Sequence, residues 1–149
     1  MKYYLIALTF FAITAKAQVP FNEKYRDCVA DSPCYYCGDV PARYKKTPRD
    51  IRDRIQWSLD HGAIKWMSTS GRIFYEIQVD STGHACVQSI KDETHMADVK
   101  ENVRRCINGL RDWHPAEWDH HRINSTIILQ LYFIGNIANV KFVKPNETM

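Results

Sequence analysis

The feature that most constrains the fold is a strand–turn–strand pattern that begins at residue 72, "RIFYEIQVDSTGHACVQSI". In its first half, apolar side chains recur at every second residue, which is the period of a β-strand with one buried face. The turn "DSTG" follows, and Gly83 in it can adopt a positive φ. The pattern predicts an antiparallel hairpin whose apolar face other elements must cover. Ile73, Tyr75, Ile77 and Val79 form that face, whereas Arg72, Glu76, Gln78 and Asp80 point the other way with Phe74.

A helical pattern lies on each side of this hairpin. Thr47 and Pro48 form a helix start, with Thr47 as the N-cap and Gly62 as the end. The second helix is predicted over Thr94–Arg111 with Asp92 or Thr94 as its cap, and Pro115 cannot continue it. The two helices therefore each present one apolar stripe. The stripes are Ile51, Ile55 and Leu59 in the first helix and Met96, Val99, Val103, Ile107 and Leu110 in the second.

The segment "STIILQLYFIG" predicts a last strand that is apolar on both faces. Ile127, Leu129, Leu131 and Phe133 share one face, and Ile128, Tyr132 and Ile134 share the other with Thr126 and Gln130. The element order is helix, strand, strand, helix, strand. We therefore predict an α+β fold in which two helices cover one face of a small three-stranded sheet. This domain should span residues 47–135, and residues 136–149 should form a tail with an apolar patch at Val140–Val143.

The first 17 residues have the three parts of a secretory signal peptide. Lys2 precedes the apolar run Tyr3–Ala15, and Ala15-Lys16-Ala17 supplies a small-residue cleavage site. We expect residues 1–17 to be removed and the mature protein to be periplasmic or secreted, without membrane insertion, because no later apolar run approaches about 20 residues. Loss of Lys2 and Lys16 would lower the formal net charge from +3 to +1. That charge gives no support for binding to nucleic acid.

The chain has five cysteines, so at most two intramolecular disulfides can form. Residues 18–46 hold three of them, show no apolar periodicity, and are expected to lie outside the main core as an irregular segment. No helix follows Cys37 and no second ligand pair stands nearby, so a structural disulfide is favoured over redox or metal chemistry. The alternative pairings are a bridge between Cys34 and Cys37 or a bridge from Cys28 to either of them. Cys86 and Cys106 either bridge strand and helix or remain separate thiols.

These elements, in this order, resemble the C-terminal domain of TonB-family proteins. The resemblance rests on "VDSTG", the second helix, "WHPAEW" and "IILQLYF", and it covers Ile51 to Gly135. It implies the fold and a mode of protein binding. We expect no energy transduction, because the sequence has a cleavable signal in place of a membrane anchor and no Pro-rich spacer. The stretch "DHHRIN" also replaces the Gly-containing stretch that precedes the last strand in the family.

The resemblance implies a partner-binding strand. In the TonB family the terminal strand pairs with an extended segment of an outer-membrane transporter, which is β-augmentation. Here that strand would bind through Ile128, Gln130, Tyr132 and Ile134. An edge strand with two apolar faces needs a cover. A homodimer through this strand, or the chain's own tail at Val140–Val143, are the alternatives to a partner.

No catalytic, cofactor or metal site is expected from the sequence. His120 and His121 are adjacent in a polar stretch, so their side chains point apart, and no nucleophile motif stands out. The first hypothesis is a protein-binding module. The second is an immunity or inhibitor protein that neutralises a toxin or enzyme effector. The third is a thiol-disulfide oxidoreductase that uses Cys34 and Cys37.

Overall fold

The computed structural model describes residues 21, 23–25, 28, 34–44 and 47–145. The predicted signal peptide, residues 1–17, lies outside them. The predicted α+β class is confirmed, because the structure has two helices and several antiparallel strands. The elements are β1 (Glu23–Lys24), β2 (Arg43–Tyr44), α1 (Pro48–His61), β3 (Arg72–Val79), β4 (Ala85–Asp92), α2 (Ala97–Gly109), β5 (Trp113–His114), β6 (Ala116–Trp118), β7 (His121–Ile123), β8 (Ser125–Ile134) and β9 (Ile137–Val143).

The main sheet has five strands in the order β1-β4-β3-β8-β9, all antiparallel. The predicted number of three strands is therefore wrong. The three predicted strands form the centre of the sheet, and one further strand lies outside them on each side. The tail predicted after Gly135 is wrong in this respect, because Ile137–Val143 pairs with β8 along its whole length. Gly135 has φ 57°, which suits the first position of the two-residue turn between β8 and β9.

Helix α1 begins and ends where the sequence predicts. Thr47 is its N-cap, and Asp50 Oδ2 accepts hydrogen bonds from the Thr47 backbone N–H and hydroxyl, both at 2.8 Å. Helix α2 begins later than predicted, with Met96 as its N-cap. The reason is that Asp92 accepts two bonds from Thr94, which forms a local turn before the helix instead of a cap on it.

Both helices pack on the same face of the sheet. Their stripes and the predicted inner face of the hairpin belong to one buried cluster, and Ser58 donates to Asn102 Oδ1 across the helix pair at 2.8 Å. The prediction that residues 18–46 lie outside the main core is wrong for Ala42 and Tyr44, which are buried in this cluster. Tyr44 is held there by β5, because its ring contacts Trp113 edge-on at 5.1 Å between centroids.

The turn "VDSTG" contacts "WHPAEW", and both are motifs behind the TonB resemblance. Gly83 has φ 83°, and a Cβ built on it would lie 2.7 Å from the carbonyl oxygen of Trp113. The turn after β3 therefore needs glycine for its conformation and for space. The polar stretch 119–124 forms the turn and second strand of a small hairpin, β6 with β7.

Candidate binding edge of the sheet

The four residues predicted to bind a partner lie on one face of β8, away from the helices. The pairing register places the first three of them, up to Tyr132, opposite the second face of β3, whereas Leu129 and Leu131 face the core. Ile128 is only 2% exposed, Gln130 and Tyr132 are partly exposed, and Ile134 is 63% exposed. The expectation that β8 is the edge strand is wrong, because it pairs with β3 on one side and β9 on the other. Strand β9 contains Val140–Val143, so the alternative that the chain's own tail covers β8 is confirmed.

Two segments close the outer side of β8. Strand β9 pairs with it from Ile128 to Ile134. Nearer the start of β8, Cys34 O accepts from Thr126 N–H and Thr126 O accepts from Tyr36 N–H, both at 2.9 Å. The Tyr36 hydroxyl joins the two covers, since it donates to Val143 O and accepts from Ile128 N–H. The backbone of β8 therefore has no room for an added strand over these residues.

The β1 side of the sheet is also covered. Strand β1 pairs with Ile90 and Ser89, and Tyr25 N–H donates to Gln88 O at 2.7 Å. Next along β4, Val87 N–H donates to the Asn108 side chain at 2.8 Å. This edge is therefore closed by β1, by the Asn108 side chain and by the Cys28–Cys86 disulfide.

In the part of the chain that the structure describes, no strand pairs with the outer side of β9. Ile134 and Ile137 flank a two-residue turn and form a hydrogen-bonded pair, so backbone groups of alternate residues from Ala138 onward point away from β8. Ala138 shows this directly, because its N–H donates to Gln56 Oε1 of α1 at 2.8 Å. Val140 and Phe142 follow with the same outward direction. We call the backbone of Ala138, Val140 and Phe142 on this side the β9 edge.

Two hollows lie next to each other along the β9 edge. The first, of about 260 Å³, meets the side chain of Phe142 and has mostly apolar walls. The second, of about 270 Å³, meets Val140 and has arginines in its wall. Pro48 lines both, so they form a continuous surface beside the strand. The first is lined by Tyr36, Pro41, Ala42, Arg43, Tyr44, Pro48, Ile127 and Phe142. The second is lined by Pro48, Arg49, Arg52, Asn139 and Val140.

The second face of the sheet is covered by the N-terminal segment. Phe74, Ile128 and Val143 form a small buried cluster there, against which Phe21 and Tyr35 pack. Tyr35 and Ser89 donate hydrogen bonds to the two carboxylate oxygens of the buried Glu76. Burial and then the bond to Glu76 raise the pKa of Tyr35 well above its ordinary value. The raised pKa favours the protonated hydroxyl, which is the form that donates to Glu76.

The cysteines pair as Cys34–Cys37 and Cys28–Cys86, and Cys106 is free. The first pair is one of the predicted alternatives. For Cys86 both alternatives, a bridge to Cys106 and a separate thiol, are wrong, because Cys86 is bonded to Cys28 on the sheet face away from the helices. Cys106 lies among α1 residues, where burial raises the pKa of its thiol. Cys37 N–H donates to the Ser125 hydroxyl at 3.2 Å, and Tyr36 turns back with φ 52°, so no helix starts at this pair.

The remaining hollows and clusters of the described residues hold no group of three metal ligands. Within residues 47–145 and the described parts before them, no helix is long and apolar enough to cross a membrane. His120 forms a hairpin turn with Asp119, both with positive φ. A hollow of about 720 Å³ between α1 and α2 contains Cys106 with mixed charges, among them Asp53, Arg54 and Arg105.

Comparison with protein-family models gives no match for this chain, and comparisons with curated proteins and with solved structures give no significant similarity. The resemblance to the TonB C-terminal domain therefore stays a hypothesis that rests on the motifs alone. The β9 edge was missed from the sequence although a signal was present. After Gly135-Asn136, the residues Ala138, Val140 and Phe142 alternate with Asn139 and Lys141, which is the period of a strand.

Proposed function

We propose that this protein is a binding module that takes up an extended segment of a partner protein as an added strand on the β9 edge. The observation that supports this most is the contrast between the two sides of the sheet. The β1 side is closed by a strand, a side chain and a disulfide, whereas the backbone of Val140 and Phe142 points outward beside two hollows. An edge strand of this kind gives affinity through its backbone, and hollows beside alternate residues give selectivity.

This proposal moves the predicted site by one strand. The TonB-like mode of binding is kept, but β9 replaces β8 as the receiving strand because β8 is paired on both sides. Gln130 and Tyr132 face away from the helices next to Lys141 and Asn139. They therefore border the added strand on its second face and do not hydrogen-bond to its backbone.

The proposed setting is the periplasm or the outside of the cell. The two disulfides support an oxidising compartment, and the signal-like residues 1–17 support export. In that setting the partner is a segment of an envelope transporter or an effector that an immunity protein would neutralise. Both would use the same edge, so the test of the binding mode comes before the identity of the partner.

The test exchanges Val140 for proline. The Val140 N–H points away from β8, so proline removes a donor from the β9 edge and leaves the ladder between β8 and β9 intact. Val140→Thr is the matched control, because it keeps the N–H and a branched side chain while losing the apolar methyl. The ligands are peptides selected on the folded protein from a displayed library of random sequences, and binding is measured by calorimetry.

We expect Val140→Pro to weaken binding by about 2 kcal/mol, or about thirtyfold in Kd, since one backbone bond is lost and its acceptor is left unpaired. Val140→Thr should retain binding within about threefold. Thermal unfolding of the two variants should agree within about 1 kcal/mol, which shows that the fold is kept. Equal affinity of the proline variant and the wild type would refute binding by strand addition at β9.

A further inference from the structure

The two hollows on the β9 edge differ in the chemistry of their walls. One lies at Phe142 and the other at Val140, two residues apart on the same strand. We infer that the segment recognised by this protein carries a large apolar side chain and an acidic side chain two residues apart. This inference rests on the proposed strand addition and specifies which sequence is selected by it.

The spacing follows from the geometry of paired strands. Val140 and Phe142 lie opposite Leu131 and Leu129, so both point to the helix side of the sheet. Residues of an added strand that face the same side also recur at every second position, about 7 Å apart. One such side chain meets the hollow at Phe142, and its neighbour two positions away meets the hollow at Val140. Intervening residues point to the other face, next to Lys141.

The hollow at Phe142 selects an apolar side chain. Its walls include Pro41, Ala42, Ile127 and the rings of Tyr36 and Phe142. A polar group placed there would lose water and find few partners, whereas an apolar group gains about 25 cal/mol for each Å² that it buries. The volume of about 260 Å³ has room for a leucine or phenylalanine side chain.

The hollow at Val140 selects a negative charge. Arg49 is exposed and has no ion pair within the described residues, and Arg52 has its guanidinium bound by Asp53 at 2.6 Å with a third of its side chain exposed. Arg43 adds a further exposed cation beside the first hollow. A carboxylate on the added strand would therefore meet an excess of positive charge.

The same charges disfavour a second copy of this chain as the occupant. In a pairing of β9 with β9, each copy would place Arg49 and Arg52 near those of its partner, and Lys141 would approach a second basic strand. Like charges brought together across an edge cost free energy. An acidic segment of another protein avoids this repulsion.

The experiment sequences the peptides that the folded, disulfide-bonded protein selects from the displayed random library. It then compares two short blocked peptides that differ in one residue, glutamate or lysine, placed two positions from a phenylalanine. We expect the selected peptides to be enriched in sequences that carry an apolar residue and, two positions before or after it, an aspartate or glutamate. The glutamate peptide should bind at least about fivefold more tightly than the lysine peptide, and high salt should reduce this ratio.

A charge exchange supplies the decisive control. The double variant Arg49→Glu with Arg52→Glu should reverse the preference, so that the lysine peptide binds more tightly. Arg105→Glu, at an exposed arginine of α2 away from the β9 edge, should leave the preference as it is in the wild type. Both variants replace helix surface residues, so the fold is expected to persist, and circular dichroism checks it.

The outcomes separate this inference from the proposed function. If peptides bind and lose affinity in Val140→Pro, but glutamate and lysine peptides bind equally, strand addition stands and the acidic selectivity is refuted. If the charge exchange leaves the preference unchanged, the arginines are not its source and the inference fails. If the bound peptides are indifferent to Val140→Pro, both statements fail together.

Discussion

Replacing Gly83 by alanine should destabilise the fold far more than an ordinary surface change, because this glycine joins two motifs of the chain. It lies in the turn after β3, and its φ of 83° is one that side-chain-bearing residues rarely adopt. The added methyl would lie 2.7 Å from the Trp113 carbonyl oxygen and 3.7 Å from Pro115 Cδ. The nearest obstacle is backbone, which cannot rotate away as a flexible side chain would.

The magnitude has three parts. A left-handed conformation costs a residue with a Cβ about 1–2 kcal/mol, and the steric overlap with the backbone costs about 1–3 kcal/mol. Alanine restricts the unfolded chain, which returns about 0.4–1 kcal/mol. We therefore expect Gly83→Ala to lower the free energy of unfolding by about 1–4.6 kcal/mol.

Gly109→Ala is the matched control. Gly109 is the last residue of α2, and a Cβ there would meet no atom within 4 Å apart from its chain neighbours and the backbone of its own helix. The same chemical change should therefore leave stability unchanged or raise it by about 0.5 kcal/mol. Urea denaturation followed by tryptophan fluorescence measures both variants. A loss below about 0.5 kcal/mol in Gly83→Ala would show that the "VDSTG" turn and "WHPAEW" do not depend on each other as the structure indicates.

Three further predictions concern the disulfides and one ion pair. Replacing Cys28 and Cys86 by serine should cost about 4 kcal/mol, because they are 58 residues apart and their bridge restricts a long loop of the unfolded chain; a loss below about 1 kcal/mol in denaturation under oxidising conditions would contradict this. Replacing Cys34 and Cys37 by serine should cost only about 1–2 kcal/mol, because these cysteines are three residues apart. Wild type and variant should be equally inactive in insulin reduction. Insulin-reducing activity that is present in the wild type and absent in the variant would support the oxidoreductase hypothesis. The hydrogen bond from Lys91, with that from Arg72, holds the pKa of Glu93 below its ordinary value although burial raises it. Ionised Glu93 therefore adds stability above its unfolded pKa that is lost as the pH falls through its lowered folded pKa. Glu93→Gln should cost about 0.5 kcal/mol at pH 7 and progressively less as the pH falls below the unfolded pKa. A difference in denaturation that does not change with pH would contradict the assignment.

The central elements could be predicted from the sequence because each has a local cause. The β3–β4 hairpin follows from the alternation of apolar and polar residues and from a turn. Helix α1 follows from its N-cap and from the apolar residues that recur at every fourth position. The apolar second face of β8 was also recognised as a surface that needs a cover. What covers it depends on distant residues. Ile128 is buried by packing with Phe74 and Val143 under Tyr35, and no local pattern relates residues so far apart.

The edge of the sheet was misplaced for a related reason. Counted only for its apolar content, Val140–Val143 is a short patch, whereas the signal for a strand is the alternation from Ala138 to Phe142, in which Lys141 is a polar member. Pairing with β8 supplies the missing stabilisation through backbone bonds along seven residues. The Cys28–Cys86 bridge shows the same limit, because cysteine spacing gives the number of bridges but not their partners.

Hydrogen exchange at the β9 edge tests the central claim most directly. In the free protein, the Val140 and Phe142 amides point outward and should exchange quickly, whereas the Asn139 and Lys141 amides point toward β8 and should be protected. On saturation with a selected peptide, we predict that Val140 and Phe142 become protected while the other two amides change little. A saturating peptide that leaves the Val140 and Phe142 amides unprotected would show that the partner does not add a strand here, and that the β9 edge is not the binding site.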